Sequence, residues 1–465
     1  MLSQWQSLLS PAPHHAMAML APPPPPNRTI YSPFRSPSPR SVARASPTLS
    51  ATDATVSSPS SPKKKVLVPV AMGTEEMEAV ILAGVLRRAG ADVTLASVED
   101  GLEVKASCGS RLVADTHIAS CVDQVFDLVA LPGGMPGSVR LRDSNILQRI
   151  TVRQAEEKRM YGAICAAPAV VLLPWGLHKG KKITCHPSFM GDLPTFRAVE
   201  SNVQVSGELT TSRGPGTTFQ FALSFVEQMF GIHAAEDVDR TLMTQMDADL
   251  ERSTEVNEVA WSVDHNPRVL IPIADGSEEM EIIILVDILR RAKINVVLAS
   301  AEKSTNIVGS QGMKIVADEC IRSASDSEYD LIILPSYTVT NIALVFSSMG
   351  GPAGAERLHR SRILKKLLKE QKQAGRMYGG VCSSQIVLQQ QGLLEDKVVT
   401  SHPSTTNQLT RRVIDGSKVV IDGNLITGKG LGTVIDFSLA IIRKFFGHGR
   451  AKSVANGIVF EYPKS

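Results

Sequence analysis

The chain has 465 residues, of which 43% are hydrophobic and 20% charged, a composition that is ordinary for globular protein and a length that suits two domains. No run of about 18 uninterrupted apolar residues occurs, so we predict no membrane-spanning helix and no membrane partner. Residues 1–62 carry four arginines and one acid, whereas the remainder has 45 basic and 45 acidic residues. This balanced charge argues against a nucleic-acid partner, which requires a clustered basic surface.

The first 62 residues form a leader of distinct composition. They include a run of five prolines, Pro22–Pro26, and long serine-rich stretches, and such segments bury too little apolar surface to offset the entropy of ordering. The arginines, the hydroxylated residues and the near absence of acids favour a transit peptide over a disordered tail or a polyproline ligand. We therefore predict import into a chloroplast, with a mitochondrion as the alternative.

The rest of the chain is an internal duplication. KVLVPVAMGTEEMEAVILAGVLRRAGADVTLAS starts at Lys65, and RVLIPIADGSEEMEIIILVDILRRAKINVVLAS starts 203 residues later at Arg268. The offset becomes 217 at Cys165 and Cys382, which predicts an insertion in the second copy around SSMGGPAGAERLHR. The predicted organisation is a leader at 1–62, a first domain at 64–240, a polar linker at 241–266 and a second, more diverged domain at 267–465.

Each copy begins with a buried-strand pattern, VLVPV or VLIPI, followed by a turn and a helix. Thr74 and Ser277 stand where helix N-caps are expected. Further apolar runs, DVTLAS, FDLVALPGG and YGAIC in the first copy, alternate with helical patterns. Continuously apolar strands that alternate with helices indicate an α/β fold with a parallel sheet covered on both faces. Sites in such folds lie at the carboxyl ends of the strands.

Cys165 stands at the end of one of these strands. The six cysteines of the chain form no CxxC pair, which favours free thiols in a reducing compartment. Cys165 ends the stretch YGAIC and precedes small residues and a helical pattern, which is the pattern of a nucleophile elbow at a helix N-terminus. Such a position lowers the pKa of a thiol. For an isolated cysteine, the alternative interpretation is a buried and inert residue.

Two other titratable residues recur with the cysteine in both copies. Glu78 recurs as Glu281, and His186 recurs as His402. Glu78 ends the EEME run and turns partly toward the apolar helix face, where a raised pKa lets a carboxyl donate a hydrogen bond to a thiolate. A helix-start glutamate and a hydrogen-bonded structural histidine are the alternatives. The joint recurrence of cysteine, glutamate and histidine favours a functional site.

The segments GTEEME, FDLVALPGG, YGAICAAP, TCHPS and LTTSRGPGTTFQFAL, in this order, resemble the DJ-1/PfpI family. The resemblance covers residues 64–235 and, more weakly, 267–447, and the tandem arrangement with a leader resembles the plastid type of plant members. It implies two tandem flavodoxin-like, class I glutamine-amidotransferase-like domains, each with a parallel sheet. It further implies a nucleophilic and redox-sensitive thiol at Cys165, a protonated partner at Glu78, a proton carrier at His186, and an oxyanion hole formed by the backbone N–H groups of Gly134 and Ala166.

The second copy departs from the family pattern around its own Cys382, Glu281 and His402. PGG becomes PSY, CAAP becomes CSSQ, and SRGPG becomes GKGLG. We predict that Tyr337, in the place of Gly134, obstructs the pocket or breaks the oxyanion hole. The second copy is therefore predicted to be a scaffold, a pseudo-dimer partner or a site of different specificity.

The resemblance implies two functions of different classes. One is a glyoxalase-like or deglycase-like activity without glutathione, which acts on a small reactive aldehyde of the 2-oxoaldehyde class and protects an organelle against carbonyl or oxidative stress. The other is a non-catalytic redox sensor or chaperone-like protein needed for chloroplast development. Because the sequence has no metal-ligand spacing, P-loop or dinucleotide fingerprint, we predict no cofactor and no metal. We expect the two copies to form an intramolecular pseudo-dimer, or the chain to form a homo-oligomer.

Overall fold

A computed structural model of the chain describes residues 62–244, 250–336, 354–410 and 412–463. The predicted transit peptide, except for residue 62, lies outside the described residues, as do Tyr337 and part of the predicted insertion. From Ser61 onward the chain forms one compact unit that contains both copies. Among the described residues, no helix combines the length and the apolar character that a membrane crossing requires.

The first copy alternates apolar strands with helices, as predicted. Its strands are β1 (Lys65–Val70), β2 (Asp92–Ser97), β3 (Glu103–Lys105), β4 (Arg111–Val113), β5 (Thr116–His117), β6 (Leu128–Leu131), β7 (Met160–Ile164), β8 (Val203–Ser206) and β9 (Leu209–Ser212). Its helices are α1 (Glu76–Arg88), α2 (Gly137–Arg142), α3 (Asn145–Glu156), α4 (Thr218–Phe230) and α5 (Ile232–Leu242). The main sheet has the order β5-β2-β1-β6-β7-β9-β8, and only the β8–β9 pair within it is antiparallel.

The second copy repeats this architecture. After β10 (Thr254–Val256), its strands are β11 (Arg268–Ile273), β12 (Asn295–Ser300), β13 (Asn306–Val308), β14 (Lys314–Val316), β15 (Glu319–Cys320), β16 (Leu331–Leu334), β17 (Met377–Val381), β18 (Val398–Val399), β19 (Arg412–Val413), β20 (Val419–Asp422) and β21 (Leu425–Gly428). Its helices are α6 (Glu279–Arg291), α7 (Ile321–Ala324), α8 (Gly354–Arg360), α9 (Arg362–Gln373), α10 (Gln385–Gln390), α11 (Pro403–Thr406), α12 (Val434–Phe446) and α13 (His448–Gly457). The main sheet has the order β10-β20-β21-β17-β16-β11-β12-β15.

The segment predicted as a linker is partly built into the second copy. Its strand β10 pairs in parallel with β20 at the edge of the second sheet. Trp261 is 2% exposed, and its indole N–H donates to the carbonyl oxygen of Gly423 at 3.0 Å. Polar composition concealed these contacts, because a short edge strand needs few apolar residues.

The two copies are joined by a helix pair and a shared sheet. Helix α1 packs on α6, and two buried ion pairs cross the boundary in opposite directions, Arg88 with Glu278 at 2.5 Å and Arg291 with Glu75 at 2.6 Å. Strand β4 of the first copy pairs antiparallel with β14 of the second, which joins the hairpins of both copies into one four-stranded sheet. Apolar side chains of both copies form one continuous core.

The predicted helix caps are wrong at Thr74 and Ser277. Helix α1 begins one residue later than a Thr74 cap requires, with Glu75 at the N-cap, and Glu278 is the N-cap of α6. Each hydroxyl instead accepts from the backbone N–H three residues earlier, at 2.9 Å for Thr74 and 3.0 Å for Ser277. The hydroxyls therefore close the strand-to-helix turn, a competing role for such residues.

Candidate active site at the elbow thiol

Cys165 forms a strained turn at the carboxyl end of β7. Its φ is 63°, a left-handed conformation that is costly for a residue with a side chain and is concentrated at functional sites. The turn is held from both sides: the Cys165 N–H donates to the Ser212 carbonyl at 3.1 Å, and the His186 N–H donates to the Cys165 carbonyl at 2.8 Å. The side chain stays partly exposed. These contacts produce the elbow that the sequence predicts.

Glu78 lies beside this thiol, fully buried on the first turn of α1. Its Oε2 accepts the backbone N–H of Gly133 at 2.6 Å, while its Oε1 has no hydrogen-bond partner among the other protein groups. The carboxyl is within hydrogen-bonding reach of the Cys165 sulfur. Because Oε2 is occupied by a donor, a proton on the carboxyl belongs on Oε1, where it can be donated to sulfur.

Burial dominates the ionisation of this pair. It raises the pKa of Glu78 well above its ordinary value, and the negative charge of Glu75 raises it further. Burial also raises the pKa of Cys165 well above its ordinary value, and Glu78 and Glu75 add to that effect. Since each group resists ionisation beside a charged neighbour, the two titrate as one unit, and a thiolate forms next to a protonated Glu78.

The expected lowering of the Cys165 pKa by a helix N-terminus is wrong. The helical segment that follows the thiol is a single π-helical turn, Pro168–Leu172, rather than a long α-helix. A macrodipole of useful size needs several aligned turns of peptide groups. The backbone N–H of Gly134 does lower the pKa of Cys165, because it donates to the sulfur, but burial outweighs it.

The predicted oxyanion donors lie at the thiol. Gly134 has a φ of 88°, and a Cβ built there would lie 2.4 Å from the backbone nitrogen of Glu75, so both conformation and space require glycine. Ala166 follows the elbow directly and is buried. Within the described residues its N–H has no acceptor, as is usual where a helical segment begins. Two backbone donors thus converge near the sulfur, the arrangement that stabilises an oxyanion.

His186 is near Cys165 in the backbone, but its imidazole is held by other groups. Nδ1 accepts the N–H of Ser188 at 3.2 Å, which places the imidazole proton on Nε2. Nε2 lies 3.5 Å from the carbonyl oxygen of Gly457, at the end of α13 in the second copy. Burial lowers the pKa of His186, so the ring is neutral at pH 7. This arrangement leaves Glu78 as the group best placed to move a proton at the thiol.

The end of the second copy also contacts the glycine loop of the first. The Gly216 N–H donates to the Ile458 carbonyl at 2.6 Å, and a Cβ at Gly216 would lie 2.7 Å from the Val459 carbonyl oxygen. Val459 has a φ of 58°, a strained value for a β-branched residue. The SRGPG loop, predicted from its glycines to be a tight turn, thus also receives the C-terminal turn of the other copy.

The second copy brings its recurring trio together in the same places. Cys382 has a φ of 57° after β17, and its N–H donates to the Gly428 carbonyl at 2.9 Å. The His402 N–H lies 3.4 Å from the Cys382 carbonyl oxygen. The Oε2 of Glu281 accepts the N–H of Ser336 at 2.6 Å. The obstruction predicted for Tyr337 concerns a residue outside the described ranges.

Sequence reasoning missed a buried polar cluster that reaches the first site from the second copy. Arg291 contacts Glu75 and also Asp287, whose carboxyl is fully buried, with Nε 2.6 Å from the Asp287 Oδ1. The pseudo-equivalent of Asp287 in the first copy is Gly84, so the cluster is one-sided, and comparing the two copies at this position is the signal that could have found it. Potential metal-ligand atoms of Glu76, Cys108 and Asp287 lie within 4.8 Å of one another.

That trio already has other partners. Both carboxylate oxygens of Glu76 accept hydrogen bonds, from the N–H groups of Cys108 and Ser110 and from the hydroxyl of Ser107. The Arg291 guanidinium adds a positive charge beside Asp287 and Cys108. The geometry therefore favours a structural role in which Glu76 holds the loop that contains Cys108.

Comparison with known proteins identifies the family. The model of the DJ-1/PfpI family matches residues 64–228 and again residues 267–444. The chain belongs to the DJ-1/PfpI family. Its relatives include Protein DJ-1 homolog B of Arabidopsis thaliana, 44% identical over 83% of this chain and 86% of that protein, and Protein DJ-1 homolog A of the same plant, 43% identical over 83% and 96%. The family and the two-domain arrangement predicted from the sequence are confirmed.

A third DJ-1/PfpI relative has a name that states an activity. It is the glutathione-independent glyoxalase DJR-1.2 of Caenorhabditis elegans, 33% identical over 34% of this chain and 83% of that protein. The similarity spans a single copy of the repeat. The mixed α/β architecture with mainly parallel sheets agrees with the predicted fold class of two tandem flavodoxin-like domains.

Proposed function

We propose that the first copy is a glutathione-independent glyoxalase-like or deglycase-like site for 2-oxoaldehydes, with Cys165 as nucleophile. The observation that carries the proposal is the contact of Cys165 with the buried carboxyl of Glu78, whose Oε1 has no other protein partner. The similarity to a glutathione-independent glyoxalase supports the same chemistry. A thiol needs no glutathione when it supplies the sulfur itself.

The reaction uses groups already at the thiol. The Cys165 thiolate adds to the aldehyde carbon, and the carbonyl oxygen becomes an oxyanion that accepts from the N–H groups of Gly134 and Ala166 before it is protonated. Glu78 then carries the proton from the aldehyde carbon to the neighbouring carbon through an enediol. The resulting thioester of a 2-hydroxy acid is hydrolysed by water, which releases the acid and restores the thiol.

A physiological role follows as part of the same proposal. The leader at 1–62 supports import into a chloroplast, with a mitochondrion as the alternative, and there the site would protect against carbonyl or oxidative stress. A fluorescent fusion of the leader in plant cells tests the compartment. Signal confined to the cytosol would contradict the import proposal without bearing on the chemistry.

A redox-sensing role of Cys165 is the second candidate. The neutral carboxyl of Glu78 and the N–H of Gly134 both face the sulfur and would stabilise an oxidised, negatively charged form of it. The two candidates differ in what they require: an enzyme turns over aldehyde, whereas a sensor is oxidised once.

The decisive experiment follows methylglyoxal in the presence of fully reduced full-length protein without glutathione. Nuclear magnetic resonance distinguishes methylglyoxal from lactate and gives the rate directly. We expect catalytic formation of lactate by the unmodified protein and none by Cys165→Ser. Consumption of no more than one equivalent of aldehyde would reject the enzyme and favour the sensor.

A further inference from the structure

The second copy presents an elbow thiol of its own in different surroundings. Cys382 is partly exposed, and its backbone is fixed by the Gly428 carbonyl and by the Ser401 hydroxyl, which donates to the Cys382 carbonyl at 2.9 Å. Ser336 takes the place that Gly133 has in the first copy, because the N–H of each residue donates to the site glutamate at 2.6 Å. The two sites therefore differ by a side chain at an equivalent position.

That side chain lies against the thiol. In the first copy, a Cβ built on Gly133 would lie 2.6 Å from the Cβ of Cys165, so any side chain at this position meets the cysteine. Ser336 is 5% exposed, and its hydroxyl is within hydrogen-bonding reach of both Cys382 and Glu281. A hydroxyl is a donor that can rotate toward a thiolate, and the first copy has no counterpart to it at Gly133.

Glu281 completes the arrangement. Its side chain is fully buried, its Oε2 accepts from the Ser336 N–H, and its Oε1 has no hydrogen-bond partner among the other protein groups. A buried carboxylate oxygen without a donor is costly, so the proton belongs on Oε1, which faces the thiol site. The charged groups that act on Glu281 are Glu278 on the same helix and Arg88 from the first copy, which are paired with each other.

We propose that Cys382 is a second reactive site, specific for hydroperoxides, with Ser336 as the residue that positions its thiolate and Glu281 as the proton donor. The sulfur attacks one peroxide oxygen, an S–O bond forms and the O–O bond breaks. The electron pair leaves on the second oxygen, which takes the proton from Glu281 and departs as water or an alcohol. The sulfur is oxidised to a sulfenic acid and the peroxide is reduced. This site is separate from the aldehyde chemistry at Cys165.

The hydroperoxide class follows from what Ser336 occupies. Addition to a carbonyl creates an oxyanion that needs free donors and space beside the sulfur, and the Ser336 side chain fills space that Gly133 leaves open in the first copy. A peroxide needs an approach for one oxygen and a proton for its leaving group. The second copy supplies both, since the thiol is partly exposed and Glu281 holds the proton.

The test measures sulfenic acid at Cys382 after exposure to hydrogen peroxide, trapped with dimedone and quantified by mass spectrometry. It uses full-length Cys165→Ser protein, so that one elbow thiol remains, with partly exposed Cys320 as the internal reference. We expect Cys382 to be oxidised faster than Cys320. Ser336→Ala should slow oxidation of Cys382 about tenfold, the equivalent of one hydrogen bond to a charged group, and Ser336→Thr should preserve it.

A second comparison separates proton donation from thiolate stability. Glu281→Gln should slow the reaction with peroxide, whose leaving group needs a proton, and should leave alkylation by iodoacetamide nearly unchanged, because iodide leaves without one. Equal oxidation of Cys382 and Cys320, or equal slowing of both reactions in Glu281→Gln, would overturn the proposal. Methylglyoxal turnover by Cys382→Ser reports on the first site alone, so failure there is distinguishable from failure here.

Discussion

The Nε2 of His186 in the first copy lies 3.5 Å from the carbonyl oxygen of Gly457 in the second. A residue of the first thiol site is thus tied to the last helix of the other copy. The Gly216 N–H is tied in the same way to Ile458, at 2.6 Å. The first site therefore depends on the second copy, whatever chemistry the second copy performs itself.

If the histidine ring is held in this way, it contributes orientation more than proton transfer. His186→Gln keeps a donor that can reach the Gly457 carbonyl, so we expect methylglyoxal turnover to fall less than about tenfold. Loss of a true general acid–base residue costs roughly 10²–10⁴-fold. Initial rates at saturating aldehyde decide between the two, and a loss in the larger range would return His186 to the role of proton carrier.

Glu78 is the proton carrier in the proposed reaction. Glu78→Gln keeps the acceptor for the Gly133 N–H but cannot carry a proton, so turnover should fall roughly 10²-fold or more. Glu281→Gln is the matched control in the second copy and should leave methylglyoxal turnover unchanged. Equal losses in the two variants would show that the copies share the aldehyde chemistry.

Gly134 is required by space as well as by conformation. Gly90 has a similar φ, 91° against 88°, but a Cβ there would meet nothing within 4 Å. Gly90→Ala should therefore cost only the conformational strain, about 1–2 kcal/mol of unfolding free energy. Gly134→Ala should cost more and should also reduce turnover, because its N–H would move away from the sulfur. Denaturant titration and aldehyde turnover measure both, and equal stability losses would contradict the close approach to Glu75.

The second site should make stability depend on pH. Burial raises the pKa of Glu281 to about 8, so the folded protein keeps a proton that the unfolded chain has released at neutral pH. The stabilisation is complete below the unfolded pKa and is lost as the pH rises toward 8, by about 1.4 kcal/mol for each unit of pKa difference. Glu281→Gln removes this dependence and should be more stable than the unmodified protein at pH 9, with a smaller difference at pH 5. Parallel curves of unfolding free energy against pH would contradict the buried, protonated carboxyl.

Local sequence patterns predicted much of the fold and of the first site. The apolar runs produced the parallel strands, and the stretch ending at Cys165 produced an elbow because its turn depends on adjacent residues. The recurrence of Glu78 and Glu281 located a carboxyl that is buried beside the thiol in each copy. Residues within one strand–turn–helix unit are brought together by the unit itself, so spacing along the chain was sufficient.

Contacts between the copies could not be predicted in this way. Asp287 and Arg291 approach Glu75 only because α6 packs on α1, and Val459 reaches the Gly216 loop only because the last helix crosses to the other copy. Such pairs are separated by more than 200 residues, and no periodicity relates them. The role of Ser336 was hidden for a different reason, since its effect depends on a close approach of two backbones rather than on residue type.

The central claim is that Cys165, rather than Cys382, reacts with the 2-oxoaldehyde. The most direct measurement compares lactate formation from methylglyoxal by reduced full-length Cys165→Ser and Cys382→Ser proteins in the absence of glutathione. The account predicts that Cys165→Ser is inactive and that Cys382→Ser turns over at a rate close to that of the unmodified protein. Activity in Cys165→Ser, or its loss in Cys382→Ser alone, would contradict it.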